Sequence, residues 1–253
     1  MWTTLALCVA AFAAGLIDSV VGGGGLIQLP ALLIAYPNAP PALLLGTNRT
    51  SSIFGTSAAM LRYAREATIP WRSMLPAAVV AATMSAIGAW AVTHVSNLAF
   101  KPIVLVVLVA VAIYTFIRKD FGSVHAPRLS PRRQLAVATV ACAAIGFYDG
   151  FFGPGTGSFL IFAFVGLLGF SFLAASASAK VVNVATNFSS LVYFVFTGNL
   201  MPLLGLTMAA CNIAGSVVGT RLALTRGSSF VRKLFLVVVP LVIARLAYDI
   251  WKA

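Results

Sequence analysis

Seventeen lysines and arginines outnumber five acidic residues in this 253-residue chain, and two of the acids recur in a shared glycine-rich frame. Asp18 opens the run Asp18-Ser-Val-Val-Gly22-Gly23-Gly24-Gly25-Leu-Ile-Gln28-Leu-Pro30. Asp149 opens Asp149-Gly-Phe-Phe-Gly153-Pro154-Gly155-Thr156-Gly157-Ser158. Glycine in a helix interior costs ~1 kcal/mol relative to alanine, so such runs break a helix. A break leaves backbone N–H groups at the start of the next helix without intrahelical partners. Those donors, with the positive end of the helix dipole, favour an anion. Close helix packing through small residues is the bland alternative. Two matching breaks favour a binding site built from Gly22, Gly23, Gly24, Gly25 and Gln28 on one side and Gly153, Gly155, Thr156 and Gly157 on the other.

A second set of polar residues lies in otherwise apolar stretches. One reads Gly46-Thr47-Asn48-Arg49-Thr50-Ser51-Ser52, the other Ser178-Ala179-Lys180-Val-Val-Asn183-Val-Ala-Thr186-Asn187. On a helix, Lys180, Asn183 and Asn187 share one face. Such groups do not face lipid cheaply, so that face lines the protein interior. A cation among amides and hydroxyls suits an oxyanion such as sulfite, a sulfonate or a carboxylate. Asn48, Arg49, Lys180, Asn183 and Asn187 are therefore candidate substrate-binding residues. The structural alternative is an ion pair, Arg49 with Asp18 or Lys180 with Asp149. Both readings hold if the pair opens when substrate arrives. Asp18 and Asp149 are candidates for binding a coupling proton during transport, or for a fixed counter-ion or helix cap.

These residues must be positioned by membrane helices. Of the chain, 60% is hydrophobic and 9% charged, whereas a soluble domain has about 25% charged residues. A helix needs about 20 apolar residues to cross ~30 Å of hydrocarbon. Ten apolar segments can be drawn: 3–21, 25–36, 43–63, 72–93, 101–118, 134–152, 157–170, 173–197, 202–224 and 230–251. Segments 25–36 and 157–170 are too short to span unaided, which makes them half-helices or re-entrant pieces. The expected fold is all-α and polytopic, with eight to ten membrane segments. It divides into a first membrane repeat (1–118), a basic cytoplasmic linker (119–133) and a second membrane repeat (134–253).

The two parts read as a duplication. Adding 131 carries Gly15, Asp18, Gly22 and Gly24 onto Gly146, Asp149, Gly153 and Gly155. The same step carries Arg49 onto Lys180, and Ser85 and Gly88 onto Ser216 and Gly219. Internal repeats of this kind are common in secondary transporters. Arg62, Arg65 and Arg72 make the 62–72 connection basic, as is the central linker, whereas 94–101 carries only Lys101. The 198–202 connection is uncharged and 225–233 carries Arg226, Arg232 and Lys233. By the positive-inside rule, corresponding loops lie on opposite sides, which favours inverted repeats over a parallel pair of four-span units.

Other residue types add little. Cys8, Cys142 and Cys211 sit in apolar segments and read as packing residues; His94 and His125 are isolated. No metal or cofactor is expected. The +12 net charge lies mostly between apolar segments, which points to cytoplasmic loops rather than nucleic acid. Met1-Trp2-Thr3-Thr4 has no basic leader, so the first segment is expected to stay as structure. Arg221 and Arg245 have no polar counterparts; Arg221 is expected to snorkel, and Arg245 to pair near an interface with Tyr248, Asp249 or Lys252 close by.

Three stretches carry a family resemblance: Ala14-Gly-Leu-Ile-Asp18-Ser-Val-Val-Gly-Gly-Gly-Gly25, Gly46-Thr-Asn-Arg49 and Gly146-Phe-Tyr-Asp-Gly-Phe-Phe-Gly-Pro154. In these the chain resembles the TauE/SafE family of bacterial membrane permeases, over nearly its whole length and in both repeats. The resemblance implies a multi-pass protein of the bacterial plasma (inner) membrane that moves sulfite, sulfonates or related small anions, often outward. Members of this branch often have lysine where Arg49 stands; a planar guanidinium there would alter substrate geometry. The partners implied are a small anionic substrate and the lipid bilayer, with no nucleic acid; the oligomeric state is open, a homodimer included.

Two rivals differ in kind. A passive anion channel would use the same breaks and cations without switching between inward and outward states. An intramembrane aspartyl protease is suggested by Tyr148-Asp149 and Pro30-Ala-Leu32. That reading lacks a Gly-x-Gly-Asp element and has the Pro-Ala-Leu element ahead of Tyr-Asp instead of after it, so no enzyme activity is expected.

Overall fold

The computed structural model describes residues 2–96 and 129–226, together with 100, 102, 105, 106, 109 and 110. Most of the expected segment 101–118, the linker as far as 128 and all of 230–251 lie outside the described residues. So do the expectations for His125, Arg128, Arg232, Lys233, Arg245 and Asp249.

Eight helices have described bounds, residues 100, 102, 105, 106, 109 and 110 are helical as well, and there is no strand among the described residues. The first four are α1 (Trp2–Val21), α2 (Gly25–Ala35), α3 (Pro41–Glu66) and α4 (Trp71–Val92). The others are α5 (Pro131–Phe151), α6 (Thr156–Leu168), α7 (Phe172–Phe196) and α8 (Pro202–Arg226). Helices α1, α4, α5, α7 and α8 are long and apolar enough to cross a membrane. Their outward faces carry large exposed apolar side chains, among them Trp2, Trp71, Val140, Phe196 and Leu203. Helix α3 has 26 residues, about 39 Å at ~1.5 Å per residue. Its polar centre, Thr47 to Ser52, keeps its hydropathy low. Helices α2 and α6 have 11 and 13 residues and are half-length.

Local chemistry explains the boundaries. Proline stands at the start of α3 and α5, where its missing N–H is no loss. Ser171 caps α7 by accepting from the Ala174 amide at 3.3 Å. Helix α6 stops at Gly169, whose left-handed φ of 75° turns the chain back. The 131-residue offset carries helix start onto helix start: Gly25 onto Thr156, Pro41 onto Phe172 and Trp71 onto Pro202.

The parts are interlocked. Helix α4 packs on α5 and α7 from the later part of the chain, while α8 packs on α1 and α3 from the earlier part. Asn212 of α8 donates to the Ala11 carbonyl at 3.1 Å, and further along Gly219 lies against Leu16, so α1 and α8 run parallel. Gly146 against Ala81 and Gly150 against Ser85 make α4 and α5 parallel as well. Helix α3 also ascends with α8, Thr47 beside Met201, Gly55 beside Asn212 and Arg62 beside Val217. Glycine permits this closeness: a Cβ on Gly150 would come within 1.8 Å of the Ser85 carbonyl oxygen. The contacts are reciprocal. Ser85 Oγ donates to the Thr186 carbonyl at 3.0 Å, and Ser216 Oγ donates to the Gly55 carbonyl at 2.6 Å. The second contact is the first with 131 added to one residue and taken from the other.

Two apolar clusters hold the assembly. One gathers α1, α2, the start of α3 and the end of α4; the other gathers the end of α3, the start of α4, and α5, α6 and α7. The polar residues of α3 and α7 lie between them.

Candidate functional site

The ends of α1 and α5 stop at the glycine breaks, and the middles of α3 and α7 pass beside them. Arg49 on α3 reaches the end of α5. Its Nη1 donates to Asp149 Oδ1 at 3.0 Å and to Asn187 Oδ1 at 2.8 Å, and its Nη2 donates to the Asp149 main-chain carbonyl. Lys180 on α7 reaches the end of α1. Its Nζ donates to Asp18 Oδ2 at 2.7 Å and to the Asp18 main-chain carbonyl. Each cation thus binds one aspartate twice, by its carboxylate and by a carbonyl at the negative end of a helix. The pairs expected from sequence, Arg49 with Asp18 and Lys180 with Asp149, do not form. Each cation instead takes the aspartate of the other part of the chain, because α3 passes beside the break after α5 and α7 beside the break after α1.

The surroundings of the pairs differ. Side-chain exposure is 4% and 2% for Arg49 and Asp149, against 1% and 20% for Lys180 and Asp18. Thr156 donates to Asp149 Oδ1 at 2.7 Å, and Thr56 donates to Asp18 Oδ2 at 3.2 Å.

The breaks hold glycine in the left-handed region at three points, Gly22, Gly153 and Gly155. Gly153 has a φ of +92°, and a Cβ there would stand 2.6 Å from Arg49 Nη2. Gly22 has a φ of +75°, and a Cβ there would stand 2.4 Å from the Gly157 Cα. The first break therefore touches the start of α6, where the Ser158 amide donates to the Gly22 carbonyl at 3.3 Å. The amides of Gly23, Gly24, Gly155 and Gly157 donate to no acceptor among the described residues.

A small cavity of about 30 Å³ opens beside the pairs. Of the residues expected from sequence, Asp18, Gly22, Gly25, Asn48, Arg49, Asp149, Gly153, Thr156, Gly157, Asn183 and Asn187 line it. Gly23, Gly24, Gln28, Gly155 and Lys180 do not. Lys180 acts on the site through Asp18. Gln28 is buried beside it, accepting from Asn212 Nδ2 at 3.0 Å and from Ser51 Oγ at 3.4 Å. Ser52 and Thr56 line the cavity and were not among the expected residues. A signal for them exists: adding 131 gives Asn183 and Asn187, two that were. Asn212 has no such signal, because its counterpart is Ala81.

Four polar atoms of the lining are buried without a hydrogen-bond partner: Asn48 Oδ1, Arg49 Nε, Asp149 Oδ2 and Asn183 Oδ1. Every residue of the lining is polar, charged or glycine. Among the described residues no group of histidine, cysteine or acidic side chains has the geometry to hold a metal.

A family model described as "Sulfite exporter TauE/SafE" matches residues 7–246. A Sinorhizobium sp protein named "Probable membrane transporter protein ORF9" is 38% identical over 244 residues, covering 96% of this chain and 92% of its own. A Haemophilus influenzae "Probable membrane transporter protein" is 33% identical over 239 residues, covering 94% of this chain and 92% of its own. The Escherichia coli K12 "Probable membrane transporter protein YfcA" is 32% identical over 239 residues, covering 94% and 87%. No solved structure matches the chain significantly. With its spanning helices and this match over nearly its whole length, the chain is a multi-pass membrane transporter that belongs to the TauE/SafE family.

Proposed function

We propose that this protein carries a small anion, such as sulfite, a sulfonate or a related organosulfur or carboxylate compound, across the bacterial inner membrane by alternating access. One observation carries the reading: Arg49 and Lys180 cross between the two repeats to meet the aspartates at both glycine breaks, beside a wholly polar cavity. Ionisable groups at membrane depth are costly and mark transport pathways. Free amides at Gly157 and Gly23, with the start of α6, add partial positive charge near the cavity. Anion binding competes with the carboxylates for the cations. Opening one crossed pair loosens one repeat from the other, which is the coupling alternating access requires. A proton on Asp18 or Asp149 would weaken the same pair and so link proton movement to transport.

The two repeats are inverted in this reading. Support comes from helix directions: α1 and α3 both run with α8, α5 runs with α4, and the short 67–70 connection turns the chain back from α3 into α4. Helices α1 and α5 then point opposite ways although they correspond. The basic 62–72 connection puts the ends of α1, α3 and α8 toward the cytoplasm.

The test is flux of labelled sulfite and taurine into proteoliposomes. Wild-type protein should give saturable flux that responds to a pH gradient, as a carrier does and a channel does not. Arg49→Gln and Lys180→Gln should each lower flux at least 100-fold while the protein still inserts. Wild-type flux in both variants would remove these cations from the mechanism.

A further inference from the structure

The orphaned atoms of the cavity describe a ligand more particular than an anion. Arg49 Nε is a buried donor without an acceptor, and it can receive an anionic oxygen. Asp149 Oδ2 is the reverse. It belongs to a side chain that is 2% exposed, lies in the cavity lining and has no partner. An ionised carboxylate oxygen can only accept, so whatever satisfies it must bring a hydrogen. Asn48 Oδ1 and Asn183 Oδ1 are two further acceptors in the same lining, on residues 3% and 5% exposed. Unpaired acceptors are expensive away from water, and each needs a donor in the loaded state.

Charge points the same way. Arg49 and Lys180 balance Asp18 and Asp149, so the site is neutral before ligand arrives. A monoanion leaves one net charge in a poorly polarisable interior, whereas a dianion leaves two. Resting on the anion-carrier reading above, we infer that the cavity takes a monoanion bearing its own hydrogen-bond donor: a hydrogen oxyanion, or a sulfonate or carboxylate with a hydroxyl or ammonium group. The anionic oxygens face Arg49, and the donor faces Asp149 Oδ2 and the two asparagine oxygens. An oxyanion carrying its own proton would also move that proton with it.

Isothermal titration of the purified full-length protein in nanodiscs at pH 7 tests this with two ligands of matched shape and charge. Hydroxymethanesulfonate carries a hydroxyl where ethanesulfonate carries a methyl, and both are monoanions. The hydroxyl compound should bind at least about tenfold more tightly, because the methyl leaves the acceptors unpaired. Asp149→Asn, which replaces the orphan oxygen by an amide group, should collapse that preference to less than threefold. Equal binding of the two ligands to wild-type protein overturns the inference and leaves the anion site standing. Binding of neither, with hydrogen sulfite and taurine also silent, overturns both. The wild-type comparison decides even if Asp149→Asn fails to insert.

Discussion

Asp149 keeps 2% of its side chain exposed and Asp18 keeps 20%, although each is held by a cation from the other part of the chain through one carboxylate oxygen and the main-chain carbonyl. Part of that difference is written in the residues. Thr156 closes over Asp149 at 2.7 Å, and the residue in its place beside Asp18 is Gly25, which has no side chain. Asn187 shares the Arg49 guanidinium, and its counterpart Thr56 has a shorter side chain that bonds Asp18 instead. The Arg49–Asp149 pair is the more enclosed of the two and Lys180–Asp18 the more exposed.

The sharpest way to break this contrast is backbone geometry. Gly22→Ala places a Cβ against the main chain of Gly157 in left-handed conformation, where nothing flexible gives way. Proteoliposome flux should fall more than 100-fold. Gly153→Ala meets the tip of the Arg49 side chain, which can shift, and should cost about tenfold. A smaller loss at Gly22 than at Gly153 would mean that the two breaks do not touch as described.

Next in size are the carboxylates. Removing one partner of a buried ion pair costs about 3–5 kcal/mol, and water tempers that loss at an open one. Asp149→Asn should therefore lower the thermal unfolding midpoint in nanodiscs at least twice as far as Asp18→Asn. Equal shifts would show that the two pairs share one environment.

Smaller still are the flanking groups. Asn187→Leu removes an acceptor from Arg49 and should lower anion affinity about tenfold; Thr56→Val removes one bond to the half-open Asp18 and should lower it about threefold. Titration of labelled anion separates the two. Last, Gln28→Leu and Asn212→Leu should each destabilise by about 1–3 kcal/mol, the double variant by less than their sum, because the two side chains satisfy each other. Additivity in unfolding experiments would dissolve that network.

Much of this was readable before any coordinates. Four glycines and a following short apolar run announce a broken helix, and α2 and α6 are found where expected. The offset of 131 predicted correspondence well enough that three helix starts coincide under it. It also points at Ser52 and Thr56, whose hydroxyls carry little signal of their own because a hydroxyl in a helix often bonds its own backbone. What it does not carry is which repeat a side chain faces. An offset relates counterparts but says nothing of how two repeats interlock, so the crossed pairing of Arg49 and Lys180 was invisible. The bond between Gln28 and Asn212 spans 184 residues and breaks the repeat symmetry, so no local pattern announces it.

The proposed carrier requires one cavity that both faces of the membrane reach in turn. Its most direct test uses Ser52→Cys and Asn183→Cys, counterparts on the cavity wall, in a chain whose Cys8, Cys142 and Cys211 are replaced by alanine. A charged, membrane-impermeant thiol reagent is applied to right-side-out and inside-out vesicles, with and without hydrogen sulfite. Both cysteines should be modified from both faces, and hydrogen sulfite should slow each reaction at least fivefold. Modification from one face alone, or rates indifferent to the anion, would contradict a carrier with its binding site at this point.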